Sequence, residues 1–350
     1  RIDMAWSRCA ALLFCVACIG VEGLSAKGGI RQNGMNFLSG QWSAPAYDSP
    51  EGLESLQVLK NQTGLNYVAL SFAWYQPTVD TAGPIYRGPK TPTDDALRTV
   101  IARAHDLGIK VMLRPLVDPD WRDNATHSTW RGEIGRNFSP AEWTTWFQTY
   151  QDMLVHYANL SETFGVDELC VGGELIVASH QESHWRNLVK TVRTLYRGPL
   201  MYAANHGNEG DVKWWDAVDV IGIDAYYPLD KADPEPSLAE LRSAWSDRAA
   251  DLASLAHETN RSIVFAEVGY CSSSATNVDP AHCYTAQGPA NQTAQVAAYE
   301  ALLEVMYTED WFLGVFWWAW NSDLQDGGLD NKGFTVHSKP AAAVLKKWYT

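Results

Sequence analysis

The sequence predicts a closed (β/α)8 TIM barrel in a single domain, on three observations. Eight short runs rich in β-branched and aromatic residues alternate with amphipathic segments of helical length, the pattern of parallel strands joined by crossovers. No linker or low-complexity tract interrupts the alternation. No G-x-G-x-x-G follows the first strand, which weighs against a doubly wound open sheet, the competing architecture.

In chain order the strands are expected at residues 34–37, 67–72, 110–115, 168–171, 200–205, 218–224, 263–268 and 314–318. The helices between them carry start signals. Ser49-Pro50-Glu51 opens a run to Lys60, Thr93 precedes Asp94 to Leu107, Ser139-Pro140 precedes Ala141 to Leu160, and Ser237 precedes Leu238 to Glu258. A Ser or Thr side chain accepts from the free N–H groups of a first helical turn, and Pro there costs no hydrogen bond. Gly64 and Gly108 stand where the first two helices must turn back, because glycine adopts the left-handed cap without strain.

In such a barrel the chemistry sits at the C-terminal ends of the strands. Those ends read Ser71 to Tyr75, Arg114 to Asp118, Gly172-Gly173-Glu174, Asn205-His206, Asp224 to Tyr227, Glu267 to Tyr270 and Phe316 to Trp320. Carboxylates, aromatics and an Arg therefore converge on one rim. Glu174 and Glu267, on the fourth and seventh strands, would face each other across the mouth. Cleavage of a glycoside needs such a pair, one carboxyl to protonate the leaving oxygen and one to attack or assist at the anomeric carbon. A single Glu at a strand end is as readily a helix-start contact or a surface charge; the pair with the aromatic rim favours chemistry.

Composition and leader bound the partners and the compartment. Of 350 residues, 46% are hydrophobic and 19% charged, and the net charge of −14 disfavours nucleic acid and anionic membranes as partners. Arg8 followed by the apolar run Cys9 to Val21 and then small residues reads as a signal peptide over residues 1–26, too short to span a bilayer, which leaves a catalytic domain over 27–350. Cys9, Cys15 and Cys18 leave with it. Of the remaining three, Cys271 and Cys283 lie in a polar, Pro-containing loop and are expected to form a disulfide, while Cys170 sits in an apolar run as a buried thiol. Asn61, Asn124, Asn137, Asn159, Asn260 and Asn291 head N-x-S/T triplets, as in a secreted glycoprotein. His180 and His184 lack the Glu that a zinc-protease helix places after its first His, so no metal is expected, nor any cofactor, and the chain is expected to be a monomer.

The segments Trp130 to Ile134, Gly173-Glu174-Leu175, Tyr202 to Asn205, Trp215 to Tyr226, Ala266 to Tyr270 and Gly314 to Trp320 resemble those of glycoside hydrolase family 113, in the family's order and across one whole barrel. The resemblance implies a retaining endo-hydrolase of β-1,4-linked mannan or glucomannan working by double displacement. It implies Glu174 as general acid/base and Glu267 as nucleophile, with their carboxyl groups roughly 5 to 5.5 Å apart. By their strand-end positions Arg114 and Tyr226 are candidates to orient the nucleophile; Arg114 could equally pair with Asp118, and Tyr226 could belong to the core. Trp318 and Trp320 are candidates for a stacking floor, and Trp74, Trp121 and Trp130 for outer subsites. Gly173 departs from the wider clan, where Asn commonly precedes the acid/base and binds the sugar 2-hydroxyl; Asn205 is the candidate for that contact. His206 stands where the family leads one to expect Trp. Two other readings compete: a retaining hydrolase of another β-glycan such as glucan or xylan, and a non-catalytic carbohydrate-binding barrel. The latter would have lost one of the two carboxyls, and both are present.

Overall fold

The structure is a computed structural model that describes residues 30–39, 46–120, 130–230, 233, 235–285 and 288–350. The leader, Trp121 and the Asn124 triplet lie outside the described residues.

Eight parallel strands close into one barrel in sequential order: β1 (Gln32–Leu38), β2 (Tyr67–Gln76), β3 (Lys110–Pro119), β4 (Glu168–Gly173), β5 (Leu200–Asn205), β6 (Val220–Asp224), β7 (Ser262–Val268) and β8 (Phe312–Asn321). Each expected strand is present. Helices α1 (Pro50–Thr63), α2 (Asp94–Asp106), α3 (Pro140–Phe164), α4 (Ile176–Ser179), α5 (Glu182–Arg193), α6 (Leu238–Thr259), α7 (Gln292–Met306) and α8 (Pro340–Tyr349) fill the connections. The start signals act as expected. Ser49 and Thr93 accept from the third backbone N–H of their helices, and Ser139 with Glu142 and Ser237 with Glu240 close reciprocal capping boxes. Gly64 caps α1 in the left-handed conformation.

Strand alternation produces two separate apolar clusters. The larger lies between the strands and the helices; a smaller one, including Met112, Cys170, Met201 and Phe316, fills the barrel lumen with residues of the opposite parity. Gly34 is required here by close approach, because a Cβ would come within 2.4 Å of the Phe316 ring. Cys170 is a free, buried thiol, and Cys271 is joined to Cys283 in the loop after β7. At the bottom of the lumen Gln32 Nε2 donates to Glu168 Oε2 at 2.8 Å, and burial pushes the Glu168 carboxyl up to about 8.

The regular ladder breaks near the C-terminal rim. β3 pairs with β4 only at Met112 and Leu113, and the registers shift between Cys170 and Gly173, between Ile223 and Asp224, and between Phe265 and Val268. Such irregularities re-aim side chains at barrel rims.

Candidate active site

The rim cluster is organised by Arg114. Strand alternation from Met112 directs Arg114 into the lumen, where it is fully buried. Its Nη1 donates to Glu267 Oε1 and its Nη2 to Asp224 Oδ2 at 2.6 Å. The shift after Ile223 makes this fork possible by pairing Asp224 with Glu267 across β6 and β7. Tyr226 Oη donates to the other Glu267 oxygen at 2.8 Å, so both oxygens of that carboxylate are held. Burial opposes the Arg114 charge, but Asp224 and Glu267 outweigh it and keep the guanidinium well above its ordinary value. Burial, helped by the charges of Glu267 and Glu174, pushes Asp224 up against the pull of Arg114. Beneath, Asn36 donates to the Ala266 carbonyl at 2.9 Å and accepts from Ser71 Oγ at 2.8 Å, tying β1, β2 and β7 together under the site. Gly173 leaves room for the fork: a Cβ there would stand 2.9 Å from Arg114 Nη2.

Glu174 follows directly, with its backbone in the left-handed region at φ 56° and its N–H donating to the Ala203 carbonyl at 2.9 Å. A non-glycine residue in that region is uncommon and is held there by its surroundings. Burial first, and then the negative charge of Glu267, push the Glu174 carboxyl up to about 7, while Arg131 and Arg114 pull the other way. Arg131 Nη1 lies 3.9 Å from Glu174 Oε2, and its Nε donates to Asp118 Oδ1 at 2.7 Å. Asp118 is thus occupied by Arg131, and Arg114 pairs with Glu267 and Asp224 instead.

The aromatic candidates separate into rim and core. Trp318 is half-buried at the end of β8, the one indole of the Trp317 to Trp320 run that is not fully enclosed. Trp320 is not beside it. The β1–β8 register shifts between Met35 and Phe37, and Trp320 turns outward, buried, with its indole N–H donating to Ser55 Oγ of α1 at 2.9 Å. Trp74 also faces away from the mouth: its parity on β2 sends it against α3, where its N–H donates to Tyr157 Oη at 2.7 Å and Arg87 covers its ring. Trp130 is exposed on the rim. Asn205 ends β5 on the lumen parity, but its amide donates to the His206 carbonyl at 3.0 Å, in its own turn. His206 stands edge-on to Tyr227, and burial lowers its pKa. His184 lies flat on Phe147, with ring centroids 4.7 Å apart. Among the described residues no cluster of three or more His, Cys, Asp or Glu side chains is arranged to hold a metal ion.

Three members of the cluster were not singled out from sequence as site residues. Asp224 was visible at a strand end, but its partner depends on a register shift. Asn36 sits on the lumen parity of the first strand, whose end was not among those read for chemistry. Arg131 lies in a loop motif, with nothing local to show that it reaches Glu174.

The profile of Glycoside Hydrolase Family 113 matches residues 37–339. The chain belongs to glycoside hydrolase family 113. Solved structures agree with the assignment. This family 113 hydrolase is 32% identical to the GH113 β-mannanase from Alicyclobacillus acidocaldarius, with a TM-score of 0.79 over 93% of this chain and 99% of that one. A structure described as a GH113 β-1,4-mannanase is 28% identical, with a TM-score of 0.78 over 90% of this chain and 97% of the other. The β-glucuronidase of Ruminococcus gnavus, 13% identical with a TM-score of 0.60 over 92% of this chain and 50% of its own, shares the fold. A comparison with curated proteins finds no match. The family 113 site thus combines one carboxyl that keeps its proton to about pH 7 with another gripped on both oxygens.

Proposed function

We propose that this family 113 hydrolase is a secreted, retaining endo-β-1,4-mannanase acting on mannan and glucomannan by double displacement. The observation that carries the mechanism is the unequal treatment of two rim carboxyls. Glu267 is gripped by Arg114 and Tyr226 as a carboxylate would be, whereas burial and the Glu267 charge keep a proton on Glu174. A carboxyl raised by burial beside one whose two oxygens are both held by donors supports Glu174 as the acid and Glu267 as the nucleophile.

In the first step a Glu267 oxygen attacks the anomeric carbon as the glycosidic C–O bond breaks, and the Glu174 proton passes to the departing oxygen. In the second, Glu174, now a carboxylate, takes a proton from water as the water oxygen attacks the anomeric carbon. The anomeric C–O bond to Glu267 breaks as the water adds, and its electron pair restores the Glu267 carboxylate. Two inversions leave the configuration unchanged. Trp318 supplies the stacking face at the cleavage point, and Trp130 one for an outer sugar. The choice of mannan is supported by the β-mannanase neighbours, which align over nearly their whole length. Export is supported by the Cys271–Cys283 disulfide, a bond that persists in oxidising compartments.

The test is product analysis on mannan, glucomannan, cello-oligosaccharides and xylan, with Glu174→Ala and Glu267→Ala alongside. Manno-oligosaccharides from the wild type and from neither variant support the reading. Turnover of xylan or cello-oligosaccharides alone discards the substrate, and binding of mannan without cleavage discards the enzyme.

A further inference from the structure

The Trp130 to Ile134 segment places a cation beside Glu174 that the reaction above does not use. Ile134 is fully buried and the Gly135 N–H donates to the Val79 carbonyl at 2.8 Å, so the short helix Arg131–Glu133 is fixed to the barrel wall. Arg131 is held by Asp118 through Nε, while its Nη1 is buried without any hydrogen-bond partner. At 3.9 Å from Glu174 Oε2 that N–H is beyond hydrogen-bond reach. A buried, unpaired guanidinium N–H costs free energy unless some state of the protein supplies its acceptor.

The reaction supplies one. On the double-displacement reading Glu174 enters the first step with a proton and Glu267 enters it as the attacking carboxylate. After the first step the proton has gone to the leaving group and Glu267 is a neutral ester, so the negative charge has moved to Glu174. The charged groups that face Glu174 are Arg114 and Asp118 from β3, Asp224 from β6, Glu267 from β7 and Arg131 from the short helix. Arg114 is committed to Asp224 and Glu267. Arg114 Nε is also without a partner, but it is Arg131 whose unpaired Nη1 lies 3.9 Å from Glu174 Oε2. Resting on the double-displacement reading, we propose that Arg131 is a positioning residue for the second half of the reaction. Its Nη1 closes on Glu174 Oε2 in the glycosyl-enzyme and holds that carboxylate ionised and oriented as the base for water.

This differs from a structural role because it acts on one step. With an aryl β-mannobioside whose phenol leaves without acid assistance, formation of the intermediate needs only Glu267, and its breakdown needs the Glu174 base. Arg131→Gln is expected to leave the rate of the first phenol release unchanged and to slow turnover about tenfold, so that a burst stoichiometric with enzyme appears. The acidic limb of kcat, which reports ionisation of the base, is expected to move up by about one pH unit, and Arg131→Lys to restore it in part. Asp118→Asn is expected to move the same limb down, because it removes a negative charge facing Glu174. Opposite shifts in the two variants support the proposal. Equal loss in the burst and steady-state phases with both limbs unmoved overturns it. If Arg131→Gln does not fold, Arg131→Lys and Asp118→Asn carry the same comparison. A wild type that turns over only another β-glycoside discards mannan as substrate, and the burst and pH measurements on that glycoside then decide the role of Arg131.

Discussion

Gly173 and Arg114 occupy what would otherwise be one residue's space. A Cβ on Gly173 would lie 2.9 Å from Nη2 of Arg114, the nitrogen that donates to Asp224 at 2.6 Å. The absent side chain is therefore the seat of the guanidinium that grips Glu267. Where the wider clan is expected to place an Asn, this chain has no room for one while Arg114 stays in its fork.

Gly173→Ala should consequently act on turnover more than on folding. Arg114 must shift by several tenths of an ångström and take Glu267 with it, and misplacement of a reacting group on that scale costs roughly tenfold or more in kcat. Steady-state kinetics on a manno-oligosaccharide beside a thermal melt check this; unaltered kcat would show that the fork tolerates the methyl group.

Tyr226→Phe removes one of the two donors to Glu267 and leaves the ring in place. A hydrogen bond to a charged group is worth about 1.5–3 kcal/mol, so kcat/KM should fall by roughly 10- to 100-fold. A variant with wild-type kcat/KM would assign Tyr226 to packing alone.

The pH profile follows from Glu174. Its carboxyl is raised to about 7, so the acid is present below that pH and is lost as pH rises through it; kcat/KM should fall on the basic side with a midpoint near 7. Glu174→Gln should abolish that basic limb along with turnover of substrates that need protonation, while an activated aryl glycoside keeps its first phenol release.

Stability carries a second pH signature, from the bottom of the barrel. Glu168 is raised from its unfolded value to about 8, so the native state retains a proton that the unfolded chain releases. Its penalty is absent below the unfolded value, grows as pH rises toward 8 and is full above it. Oxygens of both Gln32 and Glu168 lie buried without partners, and an amide at position 168 supplies a donor there. Glu168→Gln should therefore be more stable than the wild type at pH 9, by on the order of 2 kcal/mol, with little difference at pH 5, as read by denaturant unfolding at the two pH values.

The fold was legible because its signals are local. Alternation, Ser/Thr caps and Gly stops each act within a few residues, and all eight strands and the four helices with start signals stand where those signals placed them. The site was legible only in part. Glu174, Glu267, Arg114 and Tyr226 meet because strand ends converge, which the topology alone dictates. Which Asp pairs with Arg114 depended on a register shift at Asp224, which put Asp118 with Arg131 instead. Trp320 and Trp74 were placed at the mouth by proximity in sequence, whereas parity and the β1–β8 irregularity turn them into the wall. Non-local register is what a single sequence conceals most completely.

The central claim, that Glu267 forms the covalent bond to sugar, is tested most directly by trapping it. A 2-deoxy-2-fluoro-β-mannosyl fluoride slows both steps but keeps a good leaving group, so the intermediate should accumulate and mass spectrometry should find one fluoromannosyl group on the peptide carrying Glu267. A label on any other residue, or rapid release of the inverted sugar with no label, would contradict the account.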